Sequence, residues 1–495
     1  MNMKKYFVYI LLFAASLGCN KLNISPTGSI AATNYYKTIN DANTAVTSVY
    51  ASLTYEPSDQ SLYGRNLYFL TDMGTDYAAA GASAINPNVR AISALSYDAN
   101  NDRIALAWTQ LYRGIDRANV AIDNIPGITT NDTTTQNRLI NEAKFIRGLL
   151  YFDVVQLWGA APLVLHQTES LDVNALNATR TSVDSIYHQI IQDLTDAQKL
   201  PSSYSGSNIG RATSGAAKSL LAKVYLVRKD WNNAANYARQ VINGSYGYSL
   251  FTNFYDAFDP AKKNGIEHIF SAQFTKGQSG SGSGSGNTFP ACSFNGFVQT
   301  ETADIVADTT LFYHIFPAND QRKTGSFVTH YLNPSNSQVF YYTGKPRFRK
   351  YVDTTLFASS QSFASVNFPI IRYADVLLVL AEAINEQNGP TAEAYEAINK
   401  VRRRAFRYDI STAGSPVDLS GLSQSQFRDA LRKERFFEFI QEGQRWFDLV
   451  RWGILVQSAQ NVPGKTGVSA RDTLYPIPQA QVSLNPKGLW QNPGY

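Results

Sequence analysis

Two segments of this chain read as helical hairpins that cannot stand alone. Residues 214–227 (SGAAKSLLAKVYLV) and 231–243 (WNNAANYARQVIN) repeat apolar side chains at steps of three and four. Arg228-Lys229-Asp230 makes the turn between them. Ala217, Ala222, Ala234 and Ala238 stand where two helices must approach closely. A second hairpin of the same kind spans 373–404, with Asn388-Gly389-Pro390 at its turn. A lone helix pair cannot bury its apolar stripe, so such units are stable only when stacked on neighbours. This predicts an all-α scaffold of stacked helices.

Each hairpin resembles a tetratricopeptide unit, a helix pair of about 34 residues with small residues at the crossing. Further helices are predicted over 40–53, 105–125, 136–157, 182–199 and 425–456, the last bent near Gly443. The 136–157 segment is apolar on much of its circumference and should be central. Two stretches break the pattern. Residues 54–101 carry Pro57, Gly64, Gly74, Gly81 and Pro87 and little periodicity. TKGQSGSGSGSG at 275–286 is a low-complexity linker, and 287–368 is rich in Phe, Tyr, Asn and Ser with short strands such as 338–342. A long aperiodic insert in a helical protein is usually functional, and its aromatics argue against disorder. The expected fold is therefore all-α, a tetratricopeptide-like helical scaffold with a large loop-rich insert as its functional surface.

The amino terminus addresses the chain outward. Met1 to Lys5 is positive, 6–17 is an apolar run too short to span a bilayer, and Gly18 precedes Cys19. A Cys directly after the small residue is the pattern of a bacterial lipoprotein signal, with Cys19 acylated after removal of 1–18; an ordinary cleaved signal with an incidental Cys is the alternative. Ser16 stands where such boxes more often have Leu. The only other cysteine, Cys292, has no intramolecular partner if Cys19 is acylated and reads as a packed free thiol.

Composition narrows the function. The chain has 495 residues and a formal charge of +5, which falls to +3 once Lys4 and Lys5 leave with the leader. That surplus is too weak for a nucleic-acid protein, and no basic run accompanies it. Charged residues are only 17%, so the surface is built largely from Asn, Gln, Ser, Thr and Tyr. His166, His188, His268, His314 and His330 show no metal-ligand spacing, and no phosphate loop or dinucleotide motif is present. No cofactor or metal is expected. Glu434, Glu438 and Glu442 share one helical face with Arg435, Arg445, Asp448 and Arg451 nearby. Ion pairing explains them better than a catalytic pair facing across a cleft, and Glu142 and Arg147 invite the same explanation. No catalytic residue is assigned.

Six stretches together carry a family resemblance. They are Cys19 to Pro26 (CNKLNISP), Trp108 to Asn119, and Glu142 to Arg147 running on to the LWGAAP of 157–162. Then follow Arg372-Tyr-Ala-Asp-Val-Leu-Leu with Ala381-Glu-Ala, Glu434-Arg435 through Glu442-Gly443-Gln-Arg445 to Trp452, and Asn485-Pro with Gln491-Asn-Pro-Gly-Tyr495. In order and over the whole mature chain, they resemble SusD/RagB nutrient-binding outer-membrane lipoproteins; Asn23 departs from the Asp common there. The resemblance implies an N-terminal region at 19–265 and a C-terminal region at 266–495, forming one compact unit. It implies a lipid-anchored protein on the outer face of an outer membrane. Its partner would be a SusC-like TonB-dependent transporter, over which it acts as a lid. Its cargo would be oligosaccharide, or peptide in some members, and such proteins are usually not enzymes.

A sugar site needs an aromatic platform beside planar polar groups. All six tryptophans, Trp108, Trp158, Trp231, Trp446, Trp452 and Trp490, fall in helical motifs or the matched tail. Stacking is therefore expected from Tyr and Phe. The first candidates are Asp72, Asp76, Tyr77, Asn86, Asn88 and Arg90, in a stretch that helps form the ligand face in the resembled family. The second set is Phe289, Phe294, Asn295, Phe297 and Gln299, after the glycine linker. Taken singly each reads also as a packing residue; as clusters they mark a face. A peptide carrier, a protein-binding adaptor using the tetratricopeptide groove, and an exported hydrolase remain the alternatives.

Overall fold

A computed structural model describes residues 35–54, 61–81, 84–168, 178–275, 305–307, 315–332, 339–341, 346–352, 364–465 and 467–495. Helix α1 (Ile39–Ala51) starts at a capping box, in which the Thr38 hydroxyl accepts from the Asp41 N–H and the Asp41 carboxylate accepts from the Thr38 N–H. Helix α2 is Pro87–Ala94. Then come α3 (Asp102–Asn124), capped by Asn101, and α4 (Thr133–Trp158), closed by Gly159 at φ +71°. Helices α5 (Val183–Ala197), α6 (Ser214–Val227) and α7 (Trp231–Ile242) follow, capped by Ser182, Thr213 and Asp230. Beyond the insert, which contains the short α8 (Gln321–Ser326), lie α9 (Tyr373–Asn388), α10 (Ala392–Ala405), α11 (Gln424–Phe439) and α12 (Arg445–Arg451).

These helices form a stack. Both α1 and α3 pack on α4; then α4 packs on α5, α5 on α6, α6 on α7, α7 on α9, and α9 on α10 and α11. The second hairpin thus sits directly against the first, and the chain between them departs from the stack and returns to it. Ala217, Ala222, Ala234 and Ala238 are fully buried at the first hairpin, as their spacing requires. Close crossings recur elsewhere: a Cβ on Gly114 of α3 would come within 2.6 Å of Leu150 in α4. Helix α4 is the centre, with every residue of 145–155 buried. Strand is sparse and paired in twos among the described residues; His268–Ala272 with Phe368–Arg372 is the largest pair, buried along its length.

The described residues of the irregular 54–101 stretch are more regular than the sequence indicates. They hold π-helical turns at Leu62–Asn66 and Phe69–Met73, and α2. Pro87, which reads as a breaker, is the first residue of α2, where its missing N–H costs nothing; Asn86 caps the helix by accepting from the Asn88 N–H. The predicted 425–456 helix is divided, with Gln441 and Gly443 both at φ +68° between α11 and α12.

Candidate functional site

The first candidate set splits in two. Asp72, Asp76 and Tyr77 are buried, so they do not present the ligand-facing surface expected of them. They grip the turn between α11 and α12. The Gly443 N–H donates to Asp72 at 2.8 Å, the Gln441 N–H donates to the Tyr77 hydroxyl at 2.9 Å, and Arg445 binds both oxygens of Asp76 at 2.9 and 2.5 Å. The Tyr77 ring packs edge-on against Phe348 and Phe436. The physical reason is pairing: the two left-handed residues of that turn leave backbone donors that need buried acceptors.

The other three sit at the surface. Ala78–Ala80 pairs antiparallel with Ile305–Ala307, and the Ala80 N–H donates to Ser93 in α2. Asn86 and Asn88 are half-buried at the start of α2, and Arg90 is exposed one turn on. Asn101, the cap of α3, also donates to the Asn88 carbonyl at 3.0 Å, which fixes this corner to the frame. Beside it Ile85 is 88% exposed. Phe289, Phe294, Asn295, Phe297 and Gln299 lie outside the described residues, as do Cys19 and Cys292. The tryptophans stay with the frame: Trp108, Trp158 and Trp446 are buried, Trp231 and Trp452 half-buried, and Trp490 is exposed on the C-terminal tail.

The root of the insert is welded to the frame by buried charge. Arg322 pairs with Asp320 and with Glu434 and Glu438 of α11. Lys350 binds Glu442 at 2.7 Å, and Arg372 reaches Glu267, Glu438 and Glu442. Arg404 adds contacts to Glu267 and Glu438, and Arg402 to Glu434. Burial opposes the charge on Glu438, but Arg404, Arg372 and Arg322 outweigh it and hold its carboxyl well below the usual range. Burial brings the Lys350 ammonium down to about 8, while the rings of Phe254 and Phe258 face it at 4.8 Å. The carboxylates of 434–442 are thus engaged as ion pairs. The contributions of Glu267, Arg322 and Lys350 to the cluster had no sequence signal, because no local spacing links charges so far apart in the chain; Asp320 joins it through Arg322, two residues on.

Two acids are poised differently. Burial raises the Asp72 carboxyl from 3.8 to about 7, and burial raises Asp153, which accepts from the Tyr63 hydroxyl, to about 7. The folded state therefore holds their protons more tightly than the unfolded chain does. The stability tied to these protons is complete below about pH 4 and is lost as pH rises through 7. Between pH 5.5 and 8 the urea midpoint should fall, and Asp72→Asn should reduce that slope. A midpoint that rises over this interval would contradict the assignment.

A helical-repeat frame carrying a loop-built surface defines a scaffold class, and comparison with known proteins identifies the family. Residues 37–226 match the family described as starch-binding associating with outer membrane, and 318–495 match the SusD family. SusD-like protein P25 of Formosa agariphila is 30% identical, aligned over 98% of this chain and 98% of its own. A SusD homolog from Bacteroides thetaiotaomicron superposes with a TM-score of 0.76 at 26% identity, covering 94% of this chain and 98% of that one. Surface glycan-binding protein A from the same species, in complex with laminarihexaose, superposes at 0.76 and 20% identity over 92% and 99%. The chain belongs to the SusD/RagB family.

Proposed function

We propose that this chain captures glycans at the outer surface of the outer membrane and delivers them to a SusC-like TonB-dependent transporter, for which it acts as the lid. The carrying observation is the pairing of Ala78–Ala80 with Ile305–Ala307. It ties the corner bearing Asn86, Asn88 and Arg90 to the chain that emerges just after Phe289, Phe294, Asn295, Phe297 and Gln299. Amide groups on the described corner and the aromatic residues that precede Ile305–Ala307 in the chain are the two kinds of group a hydroxyl-ringed ligand requires. Asp72, Asp76 and Tyr77, just before Ala78–Ala80 in the chain, fasten this segment to the turn between α11 and α12. A family relative that holds laminarihexaose supports the choice of cargo. The protein acts by binding, not by catalysis: the acids of 434–442 spend their oxygens on arginine and lysine.

Calorimetric titration of the full-length chain with neutral oligosaccharides and with peptides tests the cargo. Binding of at least one oligosaccharide is expected, with no turnover in highly purified protein. A chain that takes peptides alone contradicts the glycan reading.

The anchor is a separate element of the proposal. Acylation at Cys19 supplies the membrane attachment, since two or more acyl chains hold a protein stably. Cys19→Ser should move the protein to the soluble fraction or stall its maturation. Unchanged membrane association in that variant would rule the anchor out.

A further inference from the structure

A second tyrosine-walled groove lies away from the loop edge, where the first hairpin meets the buried strand pair. It encloses about 310 Å³, within the range of small-molecule pockets of roughly 300–1,000 Å³. Tyr204 lines it from the segment before α6, Tyr246 and Tyr248 from the segment after α7, and Asn264 from the approach to His268–Ala272. The rings of Tyr246 and Tyr248 are near-parallel at 16° with centroids 5.5 Å apart, and both are half-buried.

This aromatic wall is built into the fold. A Cβ on Gly215 would come within 2.8 Å of the Tyr248 ring and 3.0 Å of the Tyr246 ring, and one on Gly244 within 2.5 Å of Tyr246. Two glycines therefore clear the space in which the rings lie. The Tyr248 hydroxyl is held at 3.0 Å from Thr213, the cap of α6.

The Lys218 ammonium lies 5.9 Å from the centre of the Tyr246 ring; the other polar groups around the wall are neutral or paired. Asn264 and Gln273 exchange amide hydrogen bonds at 2.9 and 3.0 Å at the rim. Arg211 spends its charge on Glu142 at 2.6 Å. Burial lowers the pKa of His268, whose ring is hydrogen-bonded to the Ala257 carbonyl at 2.8 Å. A stacked tyrosine pair with planar amides and hydroxyls beside it, and the Lys218 ammonium over one ring as a hydroxyl-binding donor, fits the apolar face and hydroxyl edge of a sugar ring.

We propose that this groove is a second carbohydrate site, taking neutral pyranose units of a longer chain. The proposal shares the glycan cargo of the function given above but none of its residues. A second contact on one polymer raises apparent affinity without a tighter primary site.

Hydroxyl-radical footprinting of the full-length chain in detergent tests it, with laminarin, soluble starch, galactomannan and arabinoxylan as probes. At least one polymer should protect Tyr246 and Tyr248. The double variant Tyr246→Ala/Tyr248→Ala should then bind that polymer roughly tenfold more weakly in affinity electrophoresis, and the paired Phe variant should restore binding. If polymers bind and every one that binds leaves both rings reactive, the second site is overturned and the loop-edge function stands. Absence of any polymer binding overturns both.

Discussion

Arg372→Met should cost about 3–5 kcal/mol of folding stability, the penalty for stripping one partner from a buried ion cluster. The guanidinium is 1% exposed and donates to Glu442 twice at 2.7 Å and to Glu438 at 2.8 Å, besides its contact with Glu267. Its removal leaves three buried carboxylates short of a cation. The surrounding charges otherwise balance: Arg322, Lys350, Arg372, Arg402 and Arg404 face Glu267, Asp320, Glu434, Glu438 and Glu442. Equilibrium urea unfolding measures the loss. The half-exposed pair Arg239–Glu393 is the comparison, since its geometry is equally good at 2.7 Å but water screens it. Arg239→Ala should cost no more than about 1 kcal/mol. Similar losses for the two variants would show that the buried cluster does not secure the insert. Pairing Arg372→Met with Glu438→Gln should cost less than the sum of the two changes, because they share one interaction.

Phe294→Ala combined with Phe297→Ala should weaken oligosaccharide binding on the order of tenfold or more, with the urea midpoint unchanged. The expectation follows from where the aromatic residues lie. Trp158 is committed to the frame, its indole N–H donating to the Pro476 carbonyl at 3.0 Å and its ring meeting Trp108 edge-on. Trp446 lies against Tyr475. Truncating either tryptophan should lower stability before it touches binding. Titration calorimetry and urea unfolding on the same variants separate the two effects. Wild-type affinity in the Phe294/Phe297 double variant would remove that stretch from the ligand face.

The sequence made the frame legible because helices report themselves locally. Periodic apolar positions marked both hairpins, and alanine crossings the first; the structure packs the first against the second. Helix α2 escaped notice because Pro87 reads as a breaker unless Asn86 is recognised as its cap. The misreading of Asp72, Asp76 and Tyr77 has a different origin. Polar residues in an aperiodic stretch look like surface, and nothing local reveals that Arg445, 369 positions away, is the partner of Asp76. The same long range hid Arg322 and Lys350 as partners of the 434–442 acids. Local patterning thus indicated that those acids would pair, but not with which cations.

Hydrogen–deuterium exchange of the full-length chain, with and without a saturating neutral oligosaccharide that calorimetry shows to bind, tests the ligand face most directly. The account predicts slowed exchange in 78–90 and in 289–299, with α3 and α4 unchanged. Saturated binding that leaves both of those stretches exchanging at their free rates would contradict it.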